Sequence, residues 1–211
     1  MSLWVVRAGK YGEQEETAVK EHLVCHGWND LPDYSACRTK DDLRTLYVRT
    51  YPRESEKRIS SGLGQVWRFA HDIQKGDLVA LPLKTTSEFA FGRITGEYEY
   101  KVVAPNVRHI RNVEWLKNVP RSEFPQDILF SMNSALTVFK VTRHDAEARV
   151  TEFLLRMIQL LKSQRKRRKV RLKAILRKGQ LIWRTLPTIR YSNSYKRSSK
   201  VIDSPTWLVR S

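Results

Sequence analysis

The residues best equipped for chemistry gather in one stretch, Gly64 to Lys84 (GQVWRFAHDIQKGDLVALPLK). Gln65, Trp67, Arg68 and Lys84 stand there as polar or amphipathic groups beside an otherwise apolar segment. A pocket built from them has an aromatic wall, an amide and two cations. A second set is Asp77 with Glu99-x-Lys101, the order seen in many metal-dependent nucleases, where carboxylates hold Mg²⁺ and a lysine orients water. The same Glu99 and Lys101 are equally well explained as alternate residues on one solvated strand face. No GxSxG, P-loop or HExxH motif is present. The five histidines, His22, His26, His71, His109 and His144, are scattered. His22 and His26 have a metal-like i,i+4 spacing, but His26 falls in a predicted strand, where that spacing loses its meaning. No metal and no cofactor is therefore expected.

The elements around Gly64–Lys84 must position these groups. Val66, Phe69, Ala70 and Ile73 recur at three- and four-residue steps and give a helix one apolar face. Gln74-Lys75-Gly76-Asp77 breaks that helix, with Gly76 suited to a left-handed C-terminal residue. Leu78–Leu83 is a short apolar run and reads as a buried strand. Upstream, Leu3–Ala8 and Leu23–Trp28 read as strands, with a helical turn between them near Glu13–Val19. Thr39 followed by Asp41 and Asp42 predicts a helix start, and that helix runs to about Thr50, before Pro52. A second helix is expected over Glu54–Gln74, broken near Gly62-Leu63-Gly64. Downstream, strands are expected at Glu88–Thr95, Glu97–Val102, Val107–Lys117 and Thr137–Val141, with Thr95-Gly96 a bend or an end. Asp127–Ala135 predicts a helical turn, and Asp145–Leu155 has helical composition. Many strands with helices inserted early predict an α+β or barrel-like domain.

The charge distribution cuts the chain in two. Residues 1–150 carry 22 Lys and Arg against 20 Asp and Glu, whereas residues 151–211 carry 17 against 2. The first part is close to neutral, and the second announces a nucleic-acid or other anionic partner. Cys25 and Cys37 form neither a CxxC motif nor a metal-spaced cluster, which predicts reduced thiols. Met1–Val6 lacks a basic start and a long apolar region, and no apolar run approaches the roughly 18–20 residues of a membrane span. The expectation is a soluble, cytoplasmic protein without a membrane partner.

Several motifs in order carry a resemblance: Trp4-Val-Val-Arg7-Ala-Gly9, Gly27-Trp28, Trp67-Arg-Phe, Lys75-Gly-Asp-Leu-Val-Ala-Leu-Pro-Leu-Lys84, Phe91-Gly-Arg-Ile-Thr-Gly-Glu-Tyr-Glu-Tyr100 and Val113-Glu-Trp115. Over about residues 3–155 this series resembles the N-terminal domain of Mrr-type restriction proteins, in the PUA-like/EVE superfamily. The resemblance implies a small β-barrel with flanking helices that reads double-stranded DNA, with modified bases as its targets. It implies a base pocket at Trp4, Arg7, Trp28, Gln65, Trp67, Leu81, Pro82 and Lys84. Full-length relatives continue through an acidic linker into a nuclease domain. That domain is not in this sequence, so cleavage does not carry over, and association with a nuclease subunit becomes an expectation instead.

The residues fit that reading on chemical grounds. A flipped base offers a π-face and a donor/acceptor edge, and stacking on an aromatic contributes roughly 1–3 kcal/mol per base. Gln65 donates and accepts at once, which suits such an edge. Arg7, Arg68 and Lys84 suit flanking phosphates. Trp4 and Trp28 stand at strand ends and serve equally well as core, and Arg7 has Glu13 as an alternative partner. Two other readings remain open at this point: an RNA-binding PUA-like protein, and the Asp77/Glu99/Lys101 nuclease.

From about residue 156 the sequence is a basic tail, expected to be disordered. Lys162, Arg165, Lys166, Arg167, Arg168 and Lys169 form its phosphate-binding run. Where relatives have acidic residues, a one-base frame change would turn Lys and Arg codons into Glu codons. An out-of-frame remnant of linker and nuclease domain is therefore an alternative origin for residues 156–211.

Overall fold

Leu78–Leu83 is apolar on both faces, and in the computed structural model of the chain it is a fully buried strand at the middle of a sheet. The structure describes residues 1–185. Six strands form one mixed sheet: β1 (Leu3–Val6), β2 (Leu23–Cys25), β3 (Leu78–Leu83), β4 (Glu88–Ala104), β5 (Val107–Pro120) and β6 (Val138–Lys140). Their order is β2-β5-β4-β3-β1-β6. Only β1 and β3 pair in parallel, with Leu3 opposite Leu78 and Val5 opposite Ala80. A parallel pair needs a crossover connection. The chain between them supplies it, with α1 (Glu15–Lys20), α2 (Lys40–Thr50) and α3 (Glu56–Trp67). The α+β class expected from the sequence is the class observed.

Val24 of edge strand β2 and Val138 of edge strand β6 belong to one apolar cluster with Trp4, Phe69, Ile73 and Ile94. The cluster also takes in Val113, Ile94's neighbour on β5, and Val79 of β3, so one row of apolar side chains runs across the sheet from edge to edge. A second cluster on the other face joins Leu3, Val5, Phe89, Phe91 and Phe124 to α4 (Gln126–Met132) and the start of α5 (Ala146–Thr185).

Local chemistry explains the helix ends. Thr39 Oγ1 accepts from the Asp42 N–H at 3.1 Å while the Asp42 carboxylate accepts from the Thr39 N–H at 2.8 Å. This capping box starts α2 and is worth about 0.5–2 kcal/mol. Gly76 has φ +90°, the left-handed backbone that the turn before β3 requires. The expected break at Gly62–Gly64 does not occur. Gly62 sits inside α3 because a Cβ there would lie 2.1 Å from Tyr47 Oη, so glycine permits α2 and α3 to pack closely. The irregularity comes later, where Arg68–Asp72 forms a π-helical turn closed by the Ile73 N–H on the Arg68 carbonyl at 3.0 Å. Thr95-Gly96 likewise ends nothing: β4 is one strand with register shifts.

The chain divides into two units, Met1–Gln159 and Leu160 onward. Helix α5 runs to Thr185 and includes the basic run from Lys162 to Lys173, whose side chains are exposed. The remainder of the expected tail, residues 186–211, lies outside the described residues. Among the described residues no helix is long and apolar enough to cross a membrane.

Candidate functional site

Strand β1 ends at Val6, and Arg7 follows at the sheet margin. Its N–H donates to the Thr137 carbonyl at 3.0 Å, just before β6. Trp28 follows β2 and is fixed at two points. Its backbone N–H donates to His26 Nδ1 at 3.2 Å, and its indole Nε1–H donates to Tyr47 Oη of α2 at 2.8 Å. Trp28 and Arg7 thereby face one cleft of about 320 Å³, completed by Gly9, Lys10, Gly27, Ala135 and Thr137. That volume is at the small end of ligand pockets, suited to a single ring system. A half-buried indole and a half-buried guanidinium are the two planar groups on which nucleobases stack.

Behind Trp28 lies a ring stack. His26 and His109 are stacked at 4.8 Å, Tyr34 and His109 at 4.9 Å, and Tyr34 and Tyr98 at 4.4 Å. Its polar atoms are paired: His26 Nε2 with Tyr34 Oη at 2.6 Å, Tyr98 Oη with His109 Nδ1 at 2.8 Å, and His109 Nε2 with the Leu31 carbonyl at 3.1 Å. Burial pushes the His109 pKa down to about 4 and that of His26 well below its ordinary value, so both are neutral near pH 7. His26 Nδ1, which accepts from Trp28, must then carry the lone pair, leaving Nε2 to donate to Tyr34. The i,i+4 pair His22 and His26 is thus no metal site: His26 is consumed in this stack.

The sequence-predicted pocket residues divide sharply. Arg7 and Trp28 come together in the cleft. Pro82 and Lys84 border an adjoining cleft that also reaches Arg7. Trp4, Gln65 and Leu81 do not face solvent: they are 3%, 5% and 0% exposed. Trp4 Nε1–H donates to Asp77 Oδ2 at 2.9 Å. Gln65 Oε1 accepts from the backbone N–H groups of Thr137 (2.6 Å) and Val138 (3.2 Å), and its Nε2 donates to the Ser61 carbonyl at 3.2 Å. Its amide holds the cleft rim in place rather than reading an edge. Trp67 stacks on His71 at 3.9 Å, with Lys40 Nζ 5.9 Å from its ring centre, and does not line the cleft. The expected cage of several tryptophans is therefore replaced by one tryptophan, Trp28, opposite an arginine. Arg68 borders a separate cleft with Phe130 and Asn133. Lys162, Arg165, Lys166, Arg167, Arg168 and Lys169 are exposed on α5.

The Asp77/Glu99/Lys101 set does not assemble. The Asp77 carboxylate accepts from Trp4 Nε1, the Ser2 N–H at 2.8 Å and the Gln74 N–H at 3.1 Å, so it clamps the start of β3. Glu99 stands exposed on β4 and accepts from Asn112 at 2.9 Å. Among the described residues no group of three or more His, Cys, Asp or Glu is placed to hold a metal.

Lys10, Tyr47 and Thr137 are site residues that the sequence did not single out. Lys10 follows Gly9 in the chain, but Thr137 reaches the cleft, and Tyr47 the indole of Trp28, only through tertiary packing.

A family model described as a domain of unknown function (DUF8426) matches residues 4–142. No curated protein matches the chain by sequence. Among solved structures, the chain is similar to the MmI1 YTH domain at 8% identity and a TM-score of 0.38, covering 75% of this chain and 98% of that one. It is similar at 11% identity and a TM-score of 0.38 to the YTH domain of the Zygosaccharomyces rouxii MRB1 protein, solved in complex with N6-methyladenosine RNA, covering 74% and 86%. A hypothetical protein from Leishmania major is similar at 12% identity and a TM-score of 0.37, covering 77% and 97%.

Proposed function

The chain belongs to the family described as domain of unknown function DUF8426, and for this member we propose a nucleic-acid-binding module that takes a single everted base into the cleft between Trp28 and Arg7. One observation carries the reading: an indole and a guanidinium, the two side-chain planes that stack on bases, border one opening, the indole held by its hydrogen bond to Tyr47 and the backbone of Arg7 by its bond to Thr137. Lys10 at the rim supplies charge for a flanking phosphate. The exposed run from Lys162 to Lys169 adds sequence-independent affinity. The resemblance to Mrr-type proteins favours modified double-stranded DNA as target, and a restriction system with a separate nuclease subunit as setting. The same planes and cations suit RNA, which is the competing target.

The test is a fluorescence-anisotropy titration of the full chain against duplex DNA with and without methylated bases and against structured RNA, at about 50 and 200 mM salt. Preference for one modified duplex is expected. Trp28→Ala should weaken that complex by about 5- to 150-fold, the equivalent of roughly 1–3 kcal/mol, and abolish the preference. Stronger binding to RNA moves the target to RNA. Unchanged binding in both Trp28→Ala and Arg7→Ala overturns the proposal.

A further inference from the structure

Beside the base cleft, and sharing Arg7 with it, lies a second opening of about 270 Å³ bordered by Arg7, Lys84, Arg121, Glu15, Ser87 and Asn133. Three cations and one carboxylate line it. That carboxylate, Glu15, accepts the Lys84 backbone N–H on both oxygens, at 3.1 and 3.0 Å, and forms no ion pair with the three cations among the described residues. Neither Arg7 nor Arg121 forms an ion pair among the described residues. The Nε atoms of both are buried, and neither has a hydrogen-bond partner there. Arg7 makes one long side-chain contact, from Nη2 to Asn133 Oδ1 at 3.4 Å. The Arg121 guanidinium rests 4.7 Å from the centre of the Phe89 ring, which fixes its plane without using its donors. Lys84 Nζ spends one proton on the Lys10 carbonyl.

Two arginines that line one opening, each with a buried Nε–H that has no partner and neither with an ion-paired carboxylate, are costly to hold side by side. Burial, and then the charge of Arg121, hold the Arg7 pKa below its ordinary value. A partner suited to this lining brings negative charge and several acceptor oxygens. A carboxylate supplies two such oxygens. A phosphoryl group supplies more, in the spread that two guanidinium forks and an ammonium can reach together.

We propose that the opening between Arg7, Lys84 and Arg121 is a binding site for a phosphoryl group. Arg7 is its shared wall with the base cleft. The site stands on its own geometry and does not require that a base be read next door. Its phosphoryl group is either a free or terminal phosphate, or an internal phosphodiester of a nucleic-acid backbone.

The experiment uses the full chain. Thermal melting is followed while sodium phosphate replaces sodium chloride at constant ionic strength and pH 7.5. A saturable rise of about 3–6 °C is expected when phosphate reaches about ten times its Kd. Arg121→Gln and Arg7→Gln should each weaken phosphate binding by at least about tenfold. Trp28→Ala should leave the phosphate response intact. A parallel titration with a short abasic deoxyribose-phosphate oligomer separates the sources: an Arg121-dependent complex assigns the site to backbone phosphodiesters, and a response to inorganic phosphate alone assigns it to free or terminal phosphate. A readout on the unsubstituted protein guards against misfolded variants, since two arginine Nε–H resonances in ¹⁵N-edited spectra should move together as phosphate is added. No saturable response beyond that of chloride, or Nε–H resonances that do not move, overturns the proposal. Modified-base discrimination that persists in that case leaves the base-reading proposal standing. A phosphate response without any base discrimination does the reverse.

Discussion

Three inward-facing arginines are treated in two opposite ways by this fold. Arg111, fully buried on β5, has a partner for each of its three nitrogens: Nε on the Phe69 carbonyl at 2.6 Å, Nη2 on the Ala70 carbonyl at 2.6 Å and Nη1 on the Gly96 carbonyl at 3.1 Å. Glu97 stands 3.6 Å away as a partial counter-charge. Arg7 and Arg121, less deeply placed, have inward Nε atoms without partners. The first arrangement is self-sufficient. Arg111 donates to two carbonyls of the π-helical turn at Arg68–Asp72, and so fastens the segment that follows α3 to the sheet. The second is complete only with a guest. Satisfaction of donors, more than depth of burial, separates an arginine that builds the fold from one that waits for a ligand.

Substitution is the most direct way to break this contrast. Arg111→Met keeps much of the side-chain volume but strands three carbonyls, and should destabilise the protein by about 3–5 kcal/mol. Arg7→Gln should cost less than about 1 kcal/mol, because no strong bond is lost. Urea unfolding of both variants checks the pair, and similar losses in the two would erase the distinction.

The next effect sharpens the contrast with pH. The histidine stack behind Trp28 has its ring nitrogens paired as Arg111 does, but its two histidines are neutral. His109 is held at about 4 by burial, below the ordinary value near 6.5 that it regains on unfolding. The unfolded chain therefore binds more protons below about pH 6.5, and stability falls as acid is added, through about pH 4. Unfolding free energies measured between pH 7.5 and 4.5 should show this slope, and His109→Gln should flatten it. A slope of the same size in His109→Gln would remove His109 as its cause and leave His26 as the group in the stack that carries it.

The smallest effect lies at the cleft itself. A Cβ built on Gly27 meets nothing within 4 Å. Gly27→Ala should thus change stability by no more than about 0.5 kcal/mol while narrowing the opening beside Trp28. A melting curve and one oligonucleotide titration check both halves of that statement.

The sequence displays what local chemistry determines. Thr39 followed by Asp41 and Asp42 announced a capped helix start, Gly76 its left-handed turn, and Leu78–Leu83 its place as a buried strand. Arg7 and Trp28 are pocket candidates through the resemblance to the Mrr-type domain, and both border one cleft. What was illegible depends on partners far along the chain. Trp4 meets Asp77 across 73 positions and Gln65 meets Thr137 across 72, so two apparent pocket residues became interior ties. Arg111 and Arg121 look alike in a string of letters. Only the carbonyls around the one, and their lack around the other, tell them apart. Gly62 suggested a break where it in fact permits close helix packing, because the crowding atom belongs to Tyr47 on another helix.

Gln65 carries a mechanical implication. Its carbonyl oxygen grips the amides of Thr137 and Val138 from α3, and the Thr137 carbonyl in turn receives the Arg7 amide. One side chain thus sets the aperture between Arg7 and the far wall. Any displacement of α3 along its axis would be transmitted to that gap through two hydrogen bonds, as a cord moves a sash.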